Sequence, residues 1–488
     1  MRKTALLAVP LAAVLAGCAT APPAPTERRL VAAAELPVLA PAAHARLEAG
    51  LAIERWWTLF GDPALDRLIE QALRDSHDLA AAAARVREAQ ARLDELRGAR
   101  RPALDLQASH GRARQSAEGT PAGAPRVGGS HRVALVARHE IDLWGRLAAA
   151  SDAAGAQLRA QQWARASVEW GLSAQLAEVH FGLRALQRQL EIAEAVRAGR
   201  ATTLALRRRE QAAGIANEFD LRRAEAELAG TEATLAALRR QRAALEATLA
   251  LLAGRPLAQV VDREAPHEAL DPGAPFQARL PQGDAAELLL RRPDLRQAEA
   301  QLAAAQADVD AARAATLPTL ALSGSVGSDV RSLSNLFDGP GMVWSLALSA
   351  THHLFDGGQG RSRVAQADAR ADAALAGYRQ AVLAAVLELR EAYATLDLSQ
   401  QALQAEQART AALARSRRLA GLGYASGAFG YLDLLDAERH HFQAQLDEVD
   451  AYRDRLLGQV AAFKALGGGH RGLATAAAAQ PESGGTDQ

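Results

Sequence analysis

Few of the 488 residues are of a type and spacing that could do covalent chemistry. Cys18 is the single cysteine, which excludes an intrachain disulfide and a Cys-rich metal site. It follows a basic start, Arg2 and Lys3, and an apolar run from Thr4 to Leu15 interrupted only by Pro10. That run is too short to span a bilayer as a helix and has the form of an export signal. Leu15-Ala16-Gly17-Cys18 then reads as a lipobox, in which the thiol is acylated and Cys18 becomes the first mature residue. The competing reading is an ordinary cleaved signal with an incidental cysteine. Two or more acyl chains at one point anchor stably where one does not. Ala19 stands where an Asp would resemble the signal for inner-membrane retention.

The paired histidines promise less. His352 and His353 are expected on a strand, where neighbours point to opposite faces, and His440 and His441 are adjacent on a helix rather than four apart. No metal site is expected from either pair. HExxH, a phosphate-binding Gly loop and a paired nucleophile and base are all missing from the sequence, so neither an enzyme nor a cofactor is expected. Leu432, Asp436 and Arg439 are spaced four and three apart and so share one helix face. For Asp433 and Asp436 the simplest role is stabilising a helix N-terminus.

What must position these residues is an internal repeat. "ARRPALDLQASHG" (99–111) matches "ATLPTLALSGSVG" (315–327), and "AGIANEFDL" (213–221) matches "SGAFGYLDL" (426–434). Pro102 and Pro318 lie 216 positions apart, and Gly214 and Gly427 lie 213 apart. A repeat that long is a duplicated domain half, unlike the short units of solenoids. Each half reads helix, strand, strand, very long helix, turn, helix. The first helix is expected from about Ala64 to Gly98, and each proline then opens extended segments. In the first half these are about 103–113 and 131–141, and in the second "TLALSGSVGS" and "MVWSLALSATH". "HRVALVARHEI" puts Val133, Leu135, Ala137 and Ile141 on one face and Arg132, Arg138 and Glu140 on the other. Segments of about 10 residues suit tilted strands crossing a bilayer. Two surface hairpins are the plainer alternative, and the export signal together with the matched positions tips the balance to membrane strands.

Long helices are expected over roughly 146–212 and 361–422, each about 100 Å at 1.5 Å per residue. Rods of that length need similar rods beside them. The returning helices carry heptads: Leu221, Leu228, Leu235 and Leu249 with Leu238, Leu245 and Leu252, then Leu435, Phe442, Val449, Leu456 and Phe463. Net charge is zero with no basic block, which argues against nucleic acid as a partner, and aromatics are scarce at 4%. Four strands cannot close a membrane barrel, so chains must pool them. A dimer would give a filled eight-stranded barrel and a trimer a twelve-stranded one with a lumen.

"WWTLFGDPALDRLIEQAL" (56–73), "EIDLWGRL" (140–147), "LLLRRPDLRQAEAQLAAAQADVDAARAATLPTLALSGSVG" (288–327), "LFDGGQGR" (354–361), "YLDLLDAERHHFQAQ" (431–445) and "FKALGGG" (463–469) occur in one order. On these motifs the chain resembles the TolC-like outer membrane factor family, in the lipoprotein (NodT-type) branch that serves RND efflux pumps. The resemblance implies an α+β membrane protein: a homotrimer whose twelve-stranded outer-membrane β-barrel is continuous with a long periplasmic α-helical barrel. Its parts would be a signal peptide (1–17), a lipidated tether (18–50), repeat 1 (51–253), an equatorial segment (254–283), repeat 2 (284–469) and a disordered tail (470–488). It implies a passive exit duct for drugs or other small molecules, anchored in outer membrane lipid, with a periplasmic adaptor and an inner-membrane RND transporter as partners. A type I protein secretion channel, or a periplasmic coiled-coil tether lipoprotein, are the alternatives. By the same resemblance Leu432 and Asp436 form the periplasmic constriction ring, with Tyr424 and Arg439 in the surrounding latch. The turns at Gly214, Asn217, Gly427 and Gly430 would meet the adaptor.

Overall fold

A computed structural model describes residues 55–114, 116, 125–215, 217–260, 270, 291–337 and 339–467. Cys18, the signal, the tether, most of the 254–283 segment and the tail at 470–488 lie outside them.

The described chain runs α1 (Pro63–Asp75), α2 (His77–Ala99), β1 (Ala103–Arg114), β2 (Val127–Ile141), α3 (Arg146–Ala212) and α4 (Glu218–Ala253). After a one-turn helix at Leu257–Val260 come α5 (Pro293–Ala314), β3 (Thr319–Val330), β4 (Met342–Thr351), α6 (Gln359–Ala425) and α7 (Tyr431–Ala465). The duplication is visible in the lengths. Helices α3 and α6 have 67 residues each, and β1 and β3 have 12 each. An aspartate starts each long helix. Asp142 accepts from the N–H groups of Leu147 (3.0 Å) and Ala148 (2.8 Å), and Asp356 from those of Gly358 (2.8 Å) and Gly360 (2.6 Å). These oxygens satisfy amide groups that no helical carbonyl can reach.

The expected helix from Ala64 to Gly98 is in fact two. Ser76 is extended (φ −60°, ψ 126°) and separates α1 from α2. Asp75 accepts a 2.6 Å hydrogen bond from the Nε of Arg255, while Ser76 Oγ accepts from the Leu79 N–H at the start of α2. Asp and Ser favour such cap and turn positions over helix interiors.

The chain forms two compact units. One unit contains the strands, within 89–158 and 300–376. Its sheet has the order β1-β2-β3-β4, antiparallel throughout, with Leu106 opposite Leu135, Leu135 opposite Val326, and Val326 opposite Trp344. The two hairpins of the repeat therefore join through β2 and β3. Strand β2 begins at Val127, earlier than the expected 131, because the "VGGS" stretch has no alternating pattern to announce it. Strand β4 stops at Thr351, so His352 and His353 lie beyond it and not on it.

The other unit, within 39–88, 159–299 and 377–488, is helical. Its core stacks Trp56 on Phe463 (5.6 Å) and sets Phe60 against Phe181 (5.0 Å), among Leu65, Ile69, Leu176, Leu249, Val449 and Val460. The heptads pack as expected: Leu435, Phe442, Val449, Leu456 and Phe463 are all buried, as are Leu221, Leu235, Leu238 and Leu249. Leu228, Leu245 and Leu252 pack at the edges of those clusters.

One polar network fixes the start of α1 in this core. Asp62 accepts from the N–H of Ala64 (2.9 Å) and Leu65 (3.2 Å), sits 2.7 Å from His180 Nε2, and receives a 2.6 Å hydrogen bond from Arg184 Nη1. Burial alone would raise its pKa. The contacts from His180, the Leu65 amide and Arg184 outweigh that and hold the carboxyl well below the usual aspartate range. A depressed carboxyl contributes stability above the unfolded pKa and loses it as pH falls towards the folded one. We expect Asp62→Asn to cost roughly 3 kcal/mol at neutral pH, the usual effect of breaking a buried charged pair. Thermal melts should show that difference shrinking below about pH 4. A pH-independent difference would contradict the linkage.

Candidate functional site

Two regions carry chemistry, one in each unit. The first is the sheet, whose faces are opposite in character. By register, Leu104, Leu106, Val133, Leu135, Leu322, Val326, Trp344, Leu346 and Leu348 share one face. On the other are Asp105, Gln107, Arg132, Arg138, Glu140, Ser323 and Ser325, with Arg138 donating to Asp105 at 2.6 Å and Ser325 bonded to Ser345 at 2.8 Å. In a water-soluble sheet the aliphatic face would be covered. Here Leu104, Leu106, Trp344, Leu346 and Leu348 are exposed, so the aliphatic face is left uncovered. At the helix end of the strands Leu354 and Phe355 are also almost fully exposed (93% and 92%). Among the described residues no helix is long and apolar enough to cross a membrane.

The second region is the helical tip, where α3 turns into α4 and α6 into α7. Gly214 (φ 71°) and Gly427 (φ 77°) occupy matched left-handed positions past the long helices. There Ile215 N–H bonds Glu210 O (2.8 Å) and Ala428 N–H bonds Gly423 O (2.8 Å). Asn217 caps α4 by accepting from the Asp220 N–H at 2.8 Å. Gly430 precedes α7, and its N–H donates to Asp433 at 2.9 Å. That contact is the helix-start role expected of Asp433.

Arg207 joins the two repeats at this tip. Its guanidinium donates to the Tyr424 hydroxyl and, at 2.7 Å, to Glu210. It also lies over the Tyr431 ring at 4.2 Å and the Tyr424 ring at 5.3 Å. Farther up, Arg200 donates to Thr231 (2.6 Å), pairs with Glu227 (3.0 Å) and covers Phe442 (5.6 Å), which ties α3 to α4 and α7. Burial pushes the carboxyl of Glu438 up, against Arg200 and Arg417 and with the help of Glu227. Burial likewise raises the Tyr431 hydroxyl.

A family model for outer membrane efflux proteins matches residues 68–255 and 285–468, one stretch per repeat. The chain belongs to the outer membrane efflux protein family. It is 34% identical over 427 residues to the pyoverdine export outer membrane protein OpmQ of Pseudomonas putida, covering 85% of this chain and 88% of that one. It is 29% identical over 476 residues to the probable outer membrane lipoprotein SilC of Salmonella typhimurium, covering 96% and 99%. The open-state structure of the Neisseria gonorrhoeae MtrE outer membrane channel superposes with a TM-score of 0.77 at 31% identity, covering 87% and 94%.

In this outer membrane efflux protein, Leu432 (55% exposed), Asp436 and Arg439 do share an exposed face of α7. The residues assigned to the latch do not come together within one chain. Tyr424 faces Arg207, while Arg439 Nε stands 3.8 Å from Glu227. Asp436 has a neighbour that sequence reasoning missed, His440 one turn along at 3.2 Å. The adjacent pair divides its roles, since His441 is buried and His440 is not. Among the described residues no group of three or more His, Cys, Asp or Glu could hold a metal ion. Arg207 was missed because its tyrosine partners lie in the other repeat, with no local spacing to connect them. Arg292 was also missed. It is buried, donates to Asp294, Glu388 (2.6 Å) and the Ala465 carbonyl (3.1 Å), and lies over Trp170.

If Arg207 clamps the tip, Arg207→Ala should speed protease nicking at the turns around Gly214 and Gly427 by about tenfold, from the loss of a cation–π contact and a hydrogen bond. Arg222→Ala, which removes only exposed pairs within α4, should leave the rate unchanged. Equal rates in both variants would mean that Arg207 does not restrain the tip.

Proposed function

We propose that three copies of this chain pool their sheets into a twelve-stranded outer-membrane barrel that serves as the passive exit duct of a tripartite efflux system. One observation carries the reading: the sheet exposes its aliphatic face and ends in two unpaired edges, β1 and β4. Lipid offers no partner for edge N–H and C=O groups, so β1 of one protomer must pair with β4 of the next. Eight strands make a tight, filled barrel, and twelve leave a lumen lined by the polar face. The long helices carry the duct into the periplasm as an α-helical barrel. There an adaptor protein would meet the turns at Gly214, Asn217, Gly427 and Gly430, below an inner-membrane transporter of the RND class. Exposed Ile215 (79%) and Phe219 beside the first turn supply apolar contact area for that adaptor.

Cys18 is the acylation point, a reading supported by a relative that is itself named a lipoprotein. The cargo class is small organic molecules, as the pyoverdine exporter among the relatives suggests. At rest, three copies of Leu432 close the axis, backed by three copies of Asp436, with Tyr424 and Arg439 in the contacts around the ring. Such a gate leaks little, and what leaks is cationic.

The purified chain should run as an SDS-resistant trimer and conduct ions across planar bilayers. Replacing Leu432 and Asp436 together by Ala should raise single-channel conductance and weaken cation selectivity, with trimer stability little changed because the Leu435–Phe442 seam is untouched. Asp433→Ala should change conductance far less, since its contact is with the Gly430 amide. A soluble monomer without conductance would defeat the duct reading. Equal leakage from Asp433→Ala and Asp436→Ala would place the gate elsewhere.

A further inference from the structure

We propose that the loop end of the β1–β2 hairpin binds the phosphate groups of a phosphorylated glycolipid in the outer leaflet, through Arg112 and Arg114 with His110 and His131 beneath them. The proposal rests on the barrel reading, which sets the aliphatic face toward lipid. Alternation puts residues 104, 106, 108, 110, 112 and 114 of β1 on that face, so two arginines stand in line with Leu104 and Leu106. Opposite them on β2 are Gly129 and Val127, which leave both guanidinium groups open. One register step lower, His110 stacks on His131 at 4.4 Å, with their Nδ1 atoms 3.2 Å apart.

Depth decides what these arginines meet. Leu104 and Arg112 are eight residues apart, about 27 Å along a strand at 3.4 Å per residue. A tilt of about 40° leaves about 20 Å along the membrane normal, most of the roughly 25 Å apolar band of such barrels. The arginines therefore fall at the headgroup boundary, where a lipid-facing charge costs little, and not in hydrocarbon. The patch is local, because the neighbouring strands end on this face in Ser328, Val330 and Met342. Arg126 and Arg331 add positive charge at the same end.

Pairing separates these side chains from the other arginines of the sheet. Arg138 is engaged by Asp105, and Arg146 by both oxygens of Glu140. Among the described residues Arg112 and Arg114 have no carboxylate partner, and this end of the outward face carries no Asp or Glu. Two adjacent guanidinium groups at headgroup depth, with no carboxylate partner among the described residues, match the anionic groups of a phosphorylated lipid.

The test uses the full-length protein in detergent micelles, with bisphosphorylated lipid A as the probe and bound lipid counted by native mass spectrometry. Arg112→Gln with Arg114→Gln should weaken retention about 30-fold, the equivalent of two interfacial charges. Arg132→Gln, on the opposite face, should leave retention unchanged, and lipid A stripped of its phosphates should not be retained by the unaltered protein. Wild-type retention by the double variant, an equal loss in Arg132→Gln, or equal binding of the phosphate-free lipid would each overturn the proposal. Flotation with phosphatidylcholine vesicles reads membrane insertion separately. A protein that does not float refutes the barrel and this site together, whereas one that floats without preferring phosphate refutes this site alone.

Discussion

Everything in this molecule follows from the need to satisfy the backbone polar groups of four strands whose outward face is aliphatic. Water would pair those edges but reject that face, and lipid would accept the face but leave the edges unpaired at several kcal/mol per group. The sheet order makes the conflict sharp, because β2 and β3 are each flanked by two strands, whereas β1 and β4 each keep one whole edge open. In the proposed duct, association that repeats the same edge contact around a closed ring resolves it. A head-to-tail β1–β4 contact closes when the rotation per subunit completes a circle, which is how cyclic oligomers arise.

The duplicated sequence supplies the rest. Each repeat delivers a hairpin and a 67-residue helix capped by an aspartate, so strands and helices enter in equivalent pairs. The helices are held by seams in which apolar residues recur every seven positions, and the Leu435-to-Phe463 seam runs into the core around Trp56. Where the pairs turn back, the repeats cease to be equivalent. Arg207 of the first half is gripped by Tyr424 and Tyr431 of the second, and no tyrosine of the first half answers them. This asymmetry holds α3 against α6 and α7 by a contact that has no counterpart in the first half.

Much of this was legible in the sequence, and the exceptions have physical reasons. Strands announced themselves because Leu104 and Leu106 alternate with Asp105 and Gln107, because Val133 to Ala137 is a short apolar run between charged residues, and because Pro102 and Pro318 cannot continue a helix. The long helices were legible from uninterrupted periodicity, and the seam from Leu435 to Phe463 from its strict spacing. The break at Ser76 was missed because the apolar stripe continues across it, whereas the Ser76 cap on Leu79 and the contact between Arg255 and Asp75 appear only in the fold. The start of β2 was missed because glycines carry no pattern. At the candidate gate, the shared face of Leu432, Asp436 and Arg439 was readable from spacing alone. Asp436 meeting His440 was also within reach of that rule. Tyr424 meeting Arg207 was not, since 217 positions separate them and only the folded helices bring them together.

The most direct test of the central claim is amide hydrogen exchange on the detergent-solubilised full-length protein, resolved along β1 and β4. In an isolated four-stranded sheet, the amides of β1 and β4 that face away from β2 and β3 are open and exchange at the rate of unstructured chain. In a closed ring those same amides are bonded to a neighbouring protomer. The account predicts that they are protected as strongly as the amides between β2 and β3. Fast exchange confined to the outer amides of β1 and β4, with β2 and β3 protected, would contradict it.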